Sequence, residues 1–146
     1  MTLAPEHDEG FALTHYLTGH GVVVSIGHSA ATYEQAVMAY ANGARSMTHV
    51  YNGMSPFAHR ANGLVGAAYR IRTMYGEIIC DGCHSTPAAL NNYFMSKGPD
   101  YAIMISDALM AKAPPLAAST SLAATISPST RTAVPIWTTA RWPVPL

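Results

Sequence analysis

The stretch Val22-Val23-Val24-Ser25-Ile26-Gly27-His28-Ser29 decides how this chain is read. Four β-favouring apolar residues lead into a glycine and a histidine, and a helix signal follows. Such a run predicts a buried strand whose tip aims an imidazole outward. The design recurs three more times downstream, ending at His49, at Asp81 to His84 and at Asp107. The steps between His28, His49, His84 and Asp107 are 21, 35 and 23 residues. Each fits one β/α unit, since a (β/α)8 barrel of about 250 residues averages about 31 per unit.

Working outward, Thr2 to Ala4 forms a short strand. Asp8 caps a helix running to Thr18, and Gly19 stops it. Thr32-Tyr33-Glu34-Gln35 is a capping box, in which hydroxyl and amide satisfy each other's orphan backbone donors. That helix ends at Asn42-Gly43. Strands are predicted over 45–51, 74–80 and 101–106. Residues 52–68 read as a long loop with a helical turn. Thr86-Pro87 is an N-cap followed by proline at the first helical position, and Lys97-Gly98 ends its helix. The strands are nearly continuous apolar runs, as in a parallel sheet covered on both faces. In a barrel or in an open doubly wound sheet, His28, His49, His84 and Asp107 gather at the C-terminal edge.

The sequence has 146 residues, a formal net charge of zero and 49% hydrophobic residues. That suits one globular core and gives no reason to expect nucleic acid as a partner. No apolar run reaches the roughly 18 residues of a membrane span. Met1 to Glu6 shows no basic leader, which predicts a cytoplasmic protein. The two cysteines, Cys80 and Cys83, are spaced as a redox pair or as half of a zinc site. No second pair completes four thiolates, so the simpler reading is two reduced thiols at a strand end.

Histidines at strand tips suit a divalent transition metal. A metal with an open position lowers the pKa of bound water, and a nearby carboxylate can relay the proton to a leaving amine. On chemistry alone His28 and His49 are candidate ligands and Asp107 is a candidate base or ligand. A lone strand-end histidine is more often structural, and it is the convergence of four residues that favours a site. His7, His15 and His20 read as surface residues. Arg60 can grip a phosphate, although a lone loop arginine is usually only solvated. Ser29 is outside any G-x-S-x-G elbow and reads as a cap for the next helix.

Together, Gly27-His28-Ser29-Ala30-Ala31-Thr32, Thr48-His49-Val50-Tyr51-Asn52-Gly53-Met54-Ser55-Pro56, Gly63-Leu64-Val65-Gly66, Asp81-Gly82-Cys83-His84 and Ser106-Asp107-Ala108 resemble the N-acetylglucosamine-6-phosphate deacetylases of the amidohydrolase superfamily. Order and spacing match over residues 1–112. The resemblance implies an α/β fold, a partial (β/α)8 TIM-like barrel drawn from the middle and late units. It implies hydrolysis of the acetamide of N-acetylglucosamine 6-phosphate to glucosamine 6-phosphate and acetate. By motif, His28 and His49 match metal ligands for zinc or iron. Asn52 and Gly53 match substrate contacts, and Arg60 matches the phosphate-binding position. Asp81, Gly82, Cys83 and His84 match a substrate loop, and Asp107 matches the catalytic acid/base. The family also implies a homodimer and a small amino-sugar phosphate as partner, with no nucleic acid and no membrane. The family's glutamate ligand lies in a His-Leu-Glu-Gly-Pro segment upstream of the matched region. An inactive, truncated remnant of the enzyme is therefore the alternative, and a thiol redox protein through Cys80 and Cys83 the lesser one.

Residues 113–146 differ from the rest. They hold six of the ten prolines and both tryptophans, with no Asp, Glu, Lys, Gly or Tyr. They read as an irregular, disordered tail after a domain of residues 1–112. Shifted by one base, Trp137-Thr138 specifies Asp and Trp142-Pro143 specifies Ala. Residues 123–145 then permit a family-like segment containing Leu-Ala-Gly-Ser. A one-base frame slip near Lys112-Ala113 is predicted. Sequencing the coding DNA checks it: the alternative frame is expected to run on with family-like sequence, and a stop codon there ends the idea.

Overall fold

The alternation of apolar runs and helix signals becomes a five-stranded parallel sheet in the computed structural model, which describes residues 1–108. The strands are β1 (Thr2–Leu3), β2 (Ser25–Ile26), β3 (Ser46–Met47), β4 (Tyr75–Ile79) and β5 (Ala102–Ile105). The helices are α1 (Ala12–Gly19), α2 (Tyr33–Ala41), α3 (Gly63–Arg70) and α4 (Pro87–Lys97). Strands pair in chain order, β1-β2-β3-β4-β5. A doubly wound sheet reverses its order at a switch point, and no reversal occurs here. The sheet is part of a (β/α)8 barrel. One row of the register runs Leu3, Ile26, Met47, Gly76 and Ala102 across all five strands.

Ile26, Met47 and Ile78 from the sheet are fully buried with Ala36 and Ala39 of α2 and Leu64, Ala67 and Ala68 of α3. The small alanines let these helices lie close to the sheet. The first two predicted strand residues did not join it: Val22 and Val23 are exposed, and pairing begins at Ser25. In β5, Ile103 and Met104 are also exposed, so continuous burial is confined to β2, β3 and the last two residues of β4. The loop predicted over 52–68 contains the start of a regular helix, α3. A Gly-Leu-Val-Gly-Ala-Ala run lacks the charged face that usually advertises a helix, because most of it is buried.

Local signals set the ends of the other helices. Thr32 and Gln35 form the expected capping box, with Gln35 N–H on Thr32 Oγ1 at 3.2 Å and Thr32 N–H on Gln35 Oε1 at 2.8 Å. The Thr86 hydroxyl accepts Ala89 N–H at 3.3 Å. Asp8 caps from a distance. Two 3-10 turns, Pro5–His7 and Glu9–Phe11, precede α1. The Asp8 carboxylate reaches over the second to accept Leu13 N–H, Thr14 N–H and the Thr14 hydroxyl. Among the described residues no helix is long and apolar enough to cross a membrane. Met1–Asp107 form one compact unit. The predicted boundary at residue 112, the irregular tail and its frame slip lie outside the described residues.

Lys97 closes the far end of α3. The residue is 2% exposed, and its ammonium donates to the carbonyls of Ala68 at 3.0 Å and Ile71 at 2.9 Å. Those carbonyls lie at a helix end, where the helix itself supplies no partners. Burial pushes the Lys97 amine down from 10.5 to about 8. The unfolded chain therefore binds more protons than the folded one between those values, so this group adds stability as pH rises through the window. Wild-type protein is expected to gain stability relative to Lys97→Met as pH climbs from about 8 toward 10.5. Parallel urea titrations of the two proteins check this, and a constant difference across that range rules it out.

Candidate active site

Parallel strands carry their C-terminal ends to one edge of the sheet. His28 lies two residues beyond β2, His49 two beyond β3, Asp81 two beyond β4 and Asp107 two beyond β5. Three of the four share a further property. His28 has φ 50°, His49 φ 36° and Asp107 φ 48°, all left-handed backbone at non-glycine residues. Such a residue costs about 1–2 kcal/mol relative to ordinary backbone. It also turns the chain sharply as it leaves the strand. Gly27 prepares the first turn: a Cβ there would stand 2.7 Å from the Cβ of Thr48, the residue just after β3.

The two histidines meet. His28 Nδ1 and His49 Nε2 are 3.3 Å apart, with ring centroids 5.2 Å apart and planes at 77°. His28 is exposed and His49 is buried, 7% exposed. Two facing imidazole nitrogens at this distance either form an N–H···N hydrogen bond, one ring donating and the other accepting, or ligate one metal ion. Zinc–nitrogen bonds of about 2.0–2.1 Å at tetrahedral angles span roughly 3.3–3.4 Å between nitrogens. The spacing of this pair fits one metal ion. Among the described residues no third His, Cys, Asp or Glu joins it. His49 Nδ1 is buried with no hydrogen-bond partner. A ligating histidine normally anchors that second nitrogen on an acceptor.

The loop after β3 packs under the His28 ring. Gly53 has φ 55°, and a Cβ on it would lie 3.2 Å from the ring. Its carbonyl accepts Ser29 N–H at 2.8 Å. Asn52 is half-buried beside it, and its N–H closes a turn on His49 O at 3.0 Å. Ser29 is not the helix cap expected of it. Thr32 takes that role, and the Ser29 hydroxyl donates to Glu6 Oε2 at 2.6 Å. Burial pushes the Glu6 carboxyl up, but hydrogen bonds from Ser29 and Ala30 outweigh it and hold the group below its ordinary value.

At the β4 tip, Asp81 is an acceptor hub. Its carboxylate takes Cys83 N–H at 2.8 Å and His84 N–H at 3.0 Å, and its other oxygen meets His84 Nδ1 at 2.7 Å. Those backbone bonds come first among the causes that hold Asp81 down at about 2. Gly82 makes the turn at φ 76°. The imidazole of His84 is thereby oriented, with Nε2 left for another partner. Cys80 and Cys83 are free and exposed. Burial, and secondarily Asp81, raises the Cys80 pKa, which makes it a poorer nucleophile than a redox thiol requires. Arg60 is exposed and lines a cleft of about 450 Å³ with Thr32, Glu34, Ser55 and Asn62. Asp107 is exposed at its tip.

No family model matches the chain. It is 44% identical over 115 residues to an N-acetylglucosamine-6-phosphate deacetylase of Lysinibacillus sphaericus, covering 79% of this chain and 30% of that protein. The crystal structure of N-acetyl-D-glucosamine-6-phosphate deacetylase from Mycobacterium smegmatis superposes with a TM-score of 0.71 at 36% identity, covering 74% of this chain and 31% of that one. The chain resembles one segment of an N-acetylglucosamine-6-phosphate deacetylase. A mutant of the Mycobacterium smegmatis deacetylase, solved in complex with N-acetyl-D-glucosamine-6-phosphate, matches with a TM-score of 0.69 at 36% identity over 71% of this chain and 27% of that one. The chain thus spans about three tenths of the length of the deacetylases it matches. The metabolic enzymes it resembles are hydrolases, and nothing favours the redox alternative.

The paired histidines were legible as strand-tip imidazoles, whereas Glu6 and the true role of Ser29 were not. A carboxylate 22 residues before His28 carries no local signal of where it will point. Gly53→Ala places a side chain both in left-handed backbone and against the His28 ring. It is expected to cost about 1–2 kcal/mol and to move the two histidine rings apart. Urea denaturation and ring-to-ring NOEs report the two effects separately.

Proposed function

We propose that this chain contributes the metal and acid/base face of a deacetylase acting on N-acetylglucosamine 6-phosphate. The observation that carries this is the 3.3 Å approach of His28 Nδ1 to His49 Nε2 at the ends of parallel strands. It is supported by the resemblance to deacetylases, one of them solved with that sugar phosphate bound. His28 and His49 would hold a divalent cation, zinc or iron. Such an ion supplies Lewis acidity and water of lowered pKa. The remaining roles fall to the chain. Asp107, at the β5 tip, accepts a proton from the attacking water and delivers it to the departing amine, completing amide hydrolysis. His84, held by Asp81, presents Nε2 to the sugar phosphate. Arg60 supplies charge for the phosphate, and Asn52 offers an amide to the sugar. Asp81, Gly82 and Cys83 shape the loop that carries His84, while Gly53 supports the His28 ring. The family's dimeric arrangement and a cytoplasmic location belong to the same proposal.

A second reading is that the chain alone is an inactive remnant. The observation favouring it is that the described residues offer a pair of ligands and no third. Cobalt binding and acetate release from N-acetylglucosamine 6-phosphate separate the two. Wild type is expected to take up cobalt, and His28→Ala/His49→Ala to lose it. Undiminished binding by the double mutant overturns the site. If the chain turns over by itself, Asp107→Asn is expected to lower the rate by about 10²- to 10⁴-fold while keeping the metal. Metal uptake without acetate release establishes the remnant.

A further inference from the structure

Glu6 takes no part in the chemistry above, yet its carboxylate is committed to the segment that follows His28. Oε2 accepts the Ser29 hydroxyl at 2.6 Å and Oε1 accepts Ala30 N–H at 2.7 Å. Ser29 is 4% exposed, and its hydroxyl oxygen also accepts Ala31 N–H at 3.0 Å. On the opposite side, Ser29 N–H donates to Gly53 O at 2.8 Å, and Ser29 O accepts Ser55 N–H at 3.3 Å. Residue 29 is therefore gripped from two directions, by the 3-10 turn after β1 and by the loop after β3. One residue earlier, His28 stands at φ 50°. Without enforcement that backbone would relax out of the left-handed region and swing the ring away from His49.

We propose that Glu6 is a positioning residue: through Ser29 and Ala30 it enforces the left-handed turn that holds His28 Nδ1 opposite His49 Nε2. Its functional meaning rests on reading the two histidines as a metal pair, but the geometry it enforces exists without metal. The chemistry of the group suits the task. A carboxylate offers two acceptor oxygens to two donors that diverge by one residue. An amide offers one acceptor and can keep only part of the grip. An alanine keeps none.

The test uses the full chain as wild type, Glu6→Ala and Glu6→Gln, with two readouts. The first is the NOE between the His28 and His49 rings in metal-free protein. The second is cobalt affinity. Glu6→Ala, folded by circular dichroism, is expected to lose the NOE and to bind cobalt about 10- to 100-fold more weakly. Glu6→Gln should fall between it and wild type. Folded Glu6→Ala with the NOE intact overturns the proposal. If Glu6→Ala does not fold, Ser29→Ala, which removes one of the two bonds to Glu6, decides by the same NOE. A wild type that shows the NOE but binds no cobalt overturns the metal reading, and the NOE comparison still judges Glu6.

Discussion

The site depends on a backbone conformation that its own residues disfavour. His28, His49 and Asp107 all sit in the left-handed region, where a Cβ is crowded against the following carbonyl. Glycine would remove the strain and also the side chain. The chain keeps the functional group and accepts the strain, so the surroundings must hold each turn in place. At His28 this is done by Glu6, Ser29 and the Gly53 loop. At His49 it is done by Asn52 N–H on His49 O and by Tyr51, itself at φ 81°. The Tyr51 hydroxyl meets Tyr69 at 2.7 Å and donates to Ala89 O at 2.8 Å. Burial first, and then the bond to Tyr69, pushes that phenol far above its ordinary value, so it stays protonated as a donor. Strain at functional residues persists where neighbouring structure over-determines it.

The sheet supplies the other half of the arrangement. Its register aligns the end of β2 with that of β3 and the end of β4 with that of β5, so His28 comes level with His49, and Asp81 with Asp107. Under these strand ends the core is made largely of alanine, with valine, isoleucine and methionine and few polar interruptions. Three hydroxyls form one such interruption. Thr48 Oγ1 meets Ser25 Oγ at 2.7 Å and Thr2 Oγ1 at 2.9 Å. These bonds tie β1, β2 and the end of β3 together just below the two histidines, in polar surroundings that an aliphatic layer could not provide.

Much of this was readable beforehand, for definite reasons. The β2 segment announces itself because valine and isoleucine fit a pleated surface and Gly27-His28 breaks the run. Thr32-Gln35 and Thr86-Pro87 are local motifs whose partners lie within one helical turn. What escaped the reading was non-local or inverted. Helix α3 hides behind glycine and alanine because its burial removes the polar face that periodicity needs. Val22 and Val23 look like strand and remain exposed, since pairing with Thr2 begins only at Ser25. In the site, the imidazoles could be placed from strand ends alone. The Glu6 contact requires knowing how the turn after β1 folds over the tip of β2, and no spacing encodes that.

The bond network around Ser29 ties together residues from three separate stretches of the chain: Glu6, Ser29-Ala30 and Gly53. Groups in one such network do not contribute independently, and their coupling is typically about 0.5–3 kcal/mol. Divergence at these positions is therefore constrained as a set. A change at Glu6 alters the cost of a change at Gly53, although the two are distant in sequence. Related chains should vary there by concerted replacement, leaving a record of co-variation among positions far apart in the sequence.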